Sequence, residues 1–152
     1  MSKDYYSEII GELKRFSRPP KKNDKQRYFD PNRYLGTPKP FLYVKTSLKR
    51  KVVKNFLRHH PEMTLPEFCR LLDRLYYGKT FDELSIAGMF LEYAPKLRSK
   101  IKLTLLNKWL SRLEGWAEVD SACQSNFGAE EILAKWPEWK KFLLKLSRDR
   151  NI

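Results

Sequence analysis

Two tetrapeptides sixteen residues apart constrain this chain more than any other feature. Thr64-Leu65-Pro66-Glu67 and Thr80-Phe81-Asp82-Glu83 each place a hydroxyl three residues ahead of a carboxylate, just before an apolar run. In such a capping box, the Thr side chain takes a backbone N–H of the first turn and the Glu reaches back to the Thr N–H. Two donors stranded at a helix start are thereby satisfied. Helix starts recurring this closely require short helices joined by brief loops. The first helix runs through Phe68, Leu71, Leu72 and Leu75 to Tyr76, with a stop near Gly78. The second runs through Leu84, Ala87, Gly88 and Leu91 to Tyr93, ended by Pro95.

The same spacing recurs along the chain. Tyr5, Ile9, Leu13 and Phe16 share one helical face, and the Pro/Lys-rich stretch 17–26 cannot continue it. Thr37-Pro38 reads as an N-cap followed by a first-position proline, which predicts a long helix from about Pro38 to His59. Its buried stripe is Val44, Leu48, Val52, Val53, Phe56 and Leu57. Its exterior is basic: Lys45, Lys49, Arg50, Lys51, Lys54 and Arg58. Further helices are expected over Leu97–Leu113, from Trp116 to about Phe127, over 129–135 and from Pro137 onward. The last should turn Trp139, Phe142, Leu143 and Leu146 inward. No segment alternates as a strand does. The expected fold is all-α: six to eight short antiparallel helices packed as a solenoid or a bundle. Residues 1–26 form an N-terminal helix and basic linker, and 27–152 the helical repeat domain.

Charge narrows the partner. The net charge is +13, and residues 1–60 hold 16 Lys and Arg against 5 Asp and Glu. A basic surface concentrated in this way favours a polyanion, nucleic acid first. Lys21, Lys22, Lys25, Arg27, Lys45, Lys49 and Arg50 are the candidate phosphate contacts. Apolar runs fall well short of the about 20 residues of a membrane span, and the N-terminus carries no apolar leader, so a cytosolic or nucleoid location is expected. Cys69 and Cys123 read as two buried, reduced thiols, with a single disulfide the alternative. There is no CxxC pair, clustered His or Gly-rich phosphate loop, and neither a metal nor a nucleotide cofactor is expected. His59-His60 reads as a helix end before Pro61.

The pattern with the most chemistry is Trp116-Ala117-Glu118-Val119-Asp120. On a helix Trp116 and Asp120 share a face, one turn apart. An indole is a flat, electron-rich wall for a cation or a sugar, and a carboxylate beside it can stabilise positive charge or orient a water. Spacing alone fits better a core tryptophan beside an exposed or capping aspartate. Glu118 falls on another face and is expected to be solvated. Trp109, Trp136 and Trp139 read as core, and Asp73 and Glu92 show no carboxylate partnership.

Four segments in order resemble the DNA alkylation repair enzymes, AlkD-like DNA glycosylases built from HEAT-like repeats. They are Arg27-Tyr28-Phe29 with Tyr34-Leu35-Gly36-Thr37-Pro38; Leu75-Tyr76 with Glu83-Leu84 and Ala87 to Tyr93; Trp116 to Asp120; and the last helix leading to Arg148-Asp149-Arg150-Asn151-Ile152. The resemblance runs from about residue 25 to the end. It implies a HEAT-like α-solenoid with a concave basic face. It also implies removal of positively charged purines such as 3-methyladenine and 7-methylguanine from duplex DNA, without cofactor. Asp120 and Trp116 would be catalytic, and Tyr28 an aromatic near the lesion. The family's Trp-x-x-Arg segment would begin where this sequence stops, so the chain is expected to be an N-terminal fragment or a member lacking C-terminal repeats. Two other readings stay open: a non-catalytic HEAT-like nucleic-acid-binding module, and a helical scaffold for an acidic protein.

Overall fold

The computed structural model describes residues 4–21, 30–123 and 126–149. Among these the chain is 68% helical, with ten helices and no strand. They are α1 (Tyr5–Phe16), α2 (Pro31–Leu35), α3 (Thr46–His59), α4 (Leu65–Tyr76), α5 (Phe81–Tyr93), α6 (Pro95–Arg98), α7 (Leu103–Leu110), α8 (Trp116–Cys123), α9 (Ala129–Ala134) and α10 (Trp136–Leu146). The architecture is consistent with an α-solenoid. No helix of the described residues is long and apolar enough to cross a membrane.

Both capping boxes form. The Glu67 carboxylate accepts the Thr64 N–H at 2.9 Å, and Glu83 accepts that of Thr80 at 2.8 Å. The helices they begin differ in kind. α4 is amphipathic and buries Phe68, Leu71, Leu72, Leu75 and Tyr76. α5 is buried on every side from Phe81 to Leu91, because α3, α4 and α8 all pack on it. A helix enclosed in this way must satisfy its polar side chains internally. Asp82 accepts the Leu42 N–H at 2.7 Å and pairs with Lys49, while Glu83 accepts the Tyr6 hydroxyl at 2.5 Å. α1 closes the far side with Tyr5, Ile9 and Leu13 against α3 and α4.

Several elements depart from the sequence expectations. The helix expected from Pro38 begins only at Thr46. Thr37 and Lys39 each precede a proline, which drives the backbone toward extended conformations. The Leu42 and Val44 N–H groups point at the Asp82 carboxylate, and the Asn32 amide donates to the carbonyls of Thr37 and Lys39 at 2.8 and 2.7 Å. The 37–45 stretch is thus held open by side chains from elsewhere. The helix expected over Leu97–Leu113 is broken into α6 and α7; Arg98 turns back to the Leu91 carbonyl and to Glu131. Trp109 and Trp139 are buried as expected, but Trp136 is 44% exposed at the start of α10, and Leu143 is exposed too. The two cysteines are unlinked. They are less buried than expected, with Cys69 at an intermediate depth and Cys123 exposed.

Candidate active site

The start of α8 is set by two glycines. Gly36 adopts the left-handed conformation (φ 66°) that closes α2, and its carbonyl lies against Gly115. A Cβ on Gly115 would overlap that backbone oxygen. Any side chain there would force α2 and α8 apart. The crossing of α8 with α5 is equally tight: a Cβ on Gly88 would overlap the Ser121 carbonyl.

This seating brings Trp116 beside Tyr34. The indole Nε1–H donates to the Tyr34 carbonyl at 2.8 Å, and the two rings meet edge to face with centroids 5.7 Å apart. Trp116 is 51% exposed, so it is not a core tryptophan. One turn on, Asp120 is exposed, and among the described residues no hydrogen bond or ion pair engages its carboxylate. Desolvation of the sulfur, the larger effect although the residue as a whole is exposed, and the charge of Asp120 together raise the Cys123 thiol above its ordinary pKa. Trp116 and Asp120 line one open cleft of about 390 Å³ between α8, α5 and α3, together with Lys49 and Arg50. Phe81, Met89 and Glu92 complete much of its lining.

The basic candidates divide. Arg50 is exposed at the cleft, Lys45 is exposed at the head of α3, and Lys21 is exposed after α1. Lys22, Lys25, Arg27 and Tyr28 lie outside the described residues. Lys49 is a correction to the expected basic exterior. It is 5% exposed, with its ammonium 3.2 Å from Asp82 Oδ1 and 3.3 Å from Ser85 Oγ. Its ammonium also lies over the Phe81 ring, 5.3 Å from the centroid. The partner that draws it inward sits on α5, far away in sequence.

Glu118 is the second correction. It was expected in solvent and is 1% exposed. Its Oε1 accepts from the Thr37 hydroxyl and lies 3.2 Å from Lys39 Nζ, and its Oε2 accepts the Glu114 N–H at 2.8 Å. Sequence reasoning missed this group and the role of Tyr34. One signal for it existed: Glu118 is the third residue of a helix, the position from which a carboxylate reaches back to free N–H groups. Asp73 also has partners, Lys108 at 2.8 Å and the Trp109 indole at 3.1 Å, though neither is a carboxylate. Among the described residues no group of three His, Cys, Asp or Glu side chains is placed to hold a metal ion.

The fold is an all-helical stack carrying an open aromatic–carboxylate cleft. The model of the DNA alkylation repair enzyme family matches residues 9–152, and the chain belongs to that family. No curated protein and no solved structure gives a significant match. Membership ties the chain to DNA and to the repair of alkylation in it.

Proposed function

We propose that this chain hydrolyses the N-glycosidic bond of positively charged alkylated purines, such as 3-methyladenine and 7-methylguanine, in duplex DNA. The observation that carries the reading is the cleft: an exposed indole and an unengaged carboxylate on one wall, with the exposed Arg50 on another. N-alkylation makes the base a cation and weakens its bond to the sugar. When the base leaves neutral, positive charge remains on the deoxyribose. Asp120 stabilises that oxocarbenium-like state and orients the attacking water, as carboxylates do in sugar hydrolysis. Trp116 packs on the deoxyribose and offers the negative face of its ring. Arg50, Lys45 and Lys21 contact phosphates, with Lys22, Lys25 and Arg27 extending the set. These contacts supply affinity without sequence preference. Tyr28 completes the aromatic surroundings of the lesion. An open cleft suits a reaction that leaves the base in the duplex, unlike enzymes that extrude it into a closed pocket.

The test is release of 7-methylguanine from methylated duplex DNA by the chain and by Asp120→Asn. The variant should lose about 100-fold or more in release. It removes a negative charge from a DNA-facing cleft, so its affinity for DNA should not fall. Equal release by both proteins would refute the role of Asp120. No release by either, with salt-sensitive DNA binding retained, would make the chain a binding module.

A further inference from the structure

We propose that Glu118 is a positioning residue for this site. It holds the Trp116 indole in place through a buried cross-link between α8 and the 36–39 turn. The inference rests on the reading of Trp116 as a wall facing the reacting sugar.

The indole is anchored through its Nε1–H to the Tyr34 carbonyl, in the last turn of α2. The orientation of Trp116 therefore depends on where α2 and its following turn sit relative to α8. Two features govern that relation. The Gly115–Gly36 contact sets the closest approach, but it is steric and only keeps the elements apart. What draws them together is Glu118. Its carboxylate accepts from Thr37 and Lys39 on the turn and from the Glu114 N–H just ahead of α8. Every one of these is a donor aimed at an anion, and hydrogen bonds to a charged acceptor are the strong ones. A carboxylate 1% exposed would be heavily penalised without them, so the turn is held wherever α8 goes. Glu118 lies two residues from Trp116 and from Asp120, on the opposite side of α8 from the cleft, and does not line it. It acts through Thr37, Lys39 and the Tyr34 carbonyl.

The experiment uses the full chain and the indole N–H itself. Trp116 Nε1–H is assigned in an ¹⁵N spectrum by its loss in Trp116→Phe, and its exchange with deuterium is followed. Glu118→Gln keeps the shape but turns one oxygen into an NH₂. That group must face either the Glu114 N–H or the Lys39 ammonium, which can only donate. Exchange at Trp116 Nε1 should accelerate by about tenfold, and kcat for base release should fall by about the same factor, while the dissociation constant for DNA holds. Thr37→Val should act in the same direction, and Thr37→Ser, which restores the hydroxyl, should return both readouts toward the parent chain. If Glu118→Gln does not fold, the Thr37 pair carries the test alone. Unchanged exchange at Trp116 in both Glu118→Gln and Thr37→Val would overturn the proposal. Faster exchange with kcat unaltered would overturn the catalytic half of it. A parent chain that releases no base would sink the proposed function but leave the exchange measurement to decide the cross-link.

Discussion

Replacing Gly88 with alanine isolates what holds the site-bearing helix in place. In an exposed helix interior, Gly→Ala is worth about 1 kcal/mol in favour of the folded state. At Gly88 the added methyl would meet the Ser121 carbonyl carbon and oxygen and come close to the Ala122 nitrogen, all backbone atoms that cannot rotate away. α8 must move, and the Ser121 carbonyl also accepts the Asn126 amide at 3.0 Å, so that bond is disturbed as well. Overpacking of this kind costs about 1–3 kcal/mol. With rigid backbone as the obstacle the upper end applies, leaving a net loss of about 2 kcal/mol after the gain in propensity. For a chain of this size that is a fall in Tm of about 4–8 °C. Gly11 is the internal control. It lies within α1, is exposed, and a Cβ there meets nothing within 4 Å. Gly11→Ala should raise Tm by about 2–4 °C. Thermal unfolding followed by far-ultraviolet circular dichroism compares the three proteins. A Tm for Gly88→Ala at or above that of the parent would refute the close-packed crossing, and with it the geometry assigned to Trp116 and Asp120.

Two other outcomes can be checked on the same material. Lys49→Met leaves the Asp82 carboxylate, 2% exposed, with backbone donors but no cation; unfolding in urea should show a loss of about 3–5 kcal/mol, and a loss below about 1 kcal/mol would mean the pair is not buried. Burial would raise the pKa of Asp73, but hydrogen bonds from Lys108 and Trp109 outweigh it and hold the carboxyl below its ordinary value of 3.8. A depressed carboxyl contributes stability that is present above the unfolded pKa and lost as pH falls through the folded one. Asp73→Asn should therefore be less stable than the parent near neutrality, with the gap closing as pH falls below about 4; a gap independent of pH would show that the charge is not involved.

What could be read from the sequence was local. The Thr64 and Thr80 capping boxes formed because their donors and acceptors lie within one turn. The Trp116 and Asp120 pairing on one cleft follows from helical periodicity as soon as α8 exists. Most of the misreadings share one cause, partners remote in the chain. Lys49 looked like its neighbours Lys45 and Arg50 until α5 supplied Asp82. Glu118 looked solvated because Thr37 and Lys39 come from a turn some eighty residues earlier. Pro38 looked like a helix start, although Pro40 two residues on already disfavours helical backbone at Lys39; the part played by Asp82, which claims the N–H groups of Leu42 and Val44, is remote. Trp136 looked like core because an apolar stripe does not say how many neighbours will cover it.

The enclosure of α5 has a consequence for how such a site can diversify. Eleven consecutive residues of α5 are buried, so most exchanges there alter the packing of α3, α4 or α8. The outer surface of α8 is free of that restraint: Trp116, Val119, Asp120 and Cys123 are all exposed, as is Tyr34 beside them. A randomised library confined to Val119, Cys123 and Tyr34 would resculpt the rim around Trp116 and Asp120 while leaving the supporting helix untouched. Under the proposed function, new base preferences should emerge from those three positions sooner than from any equal number on α5.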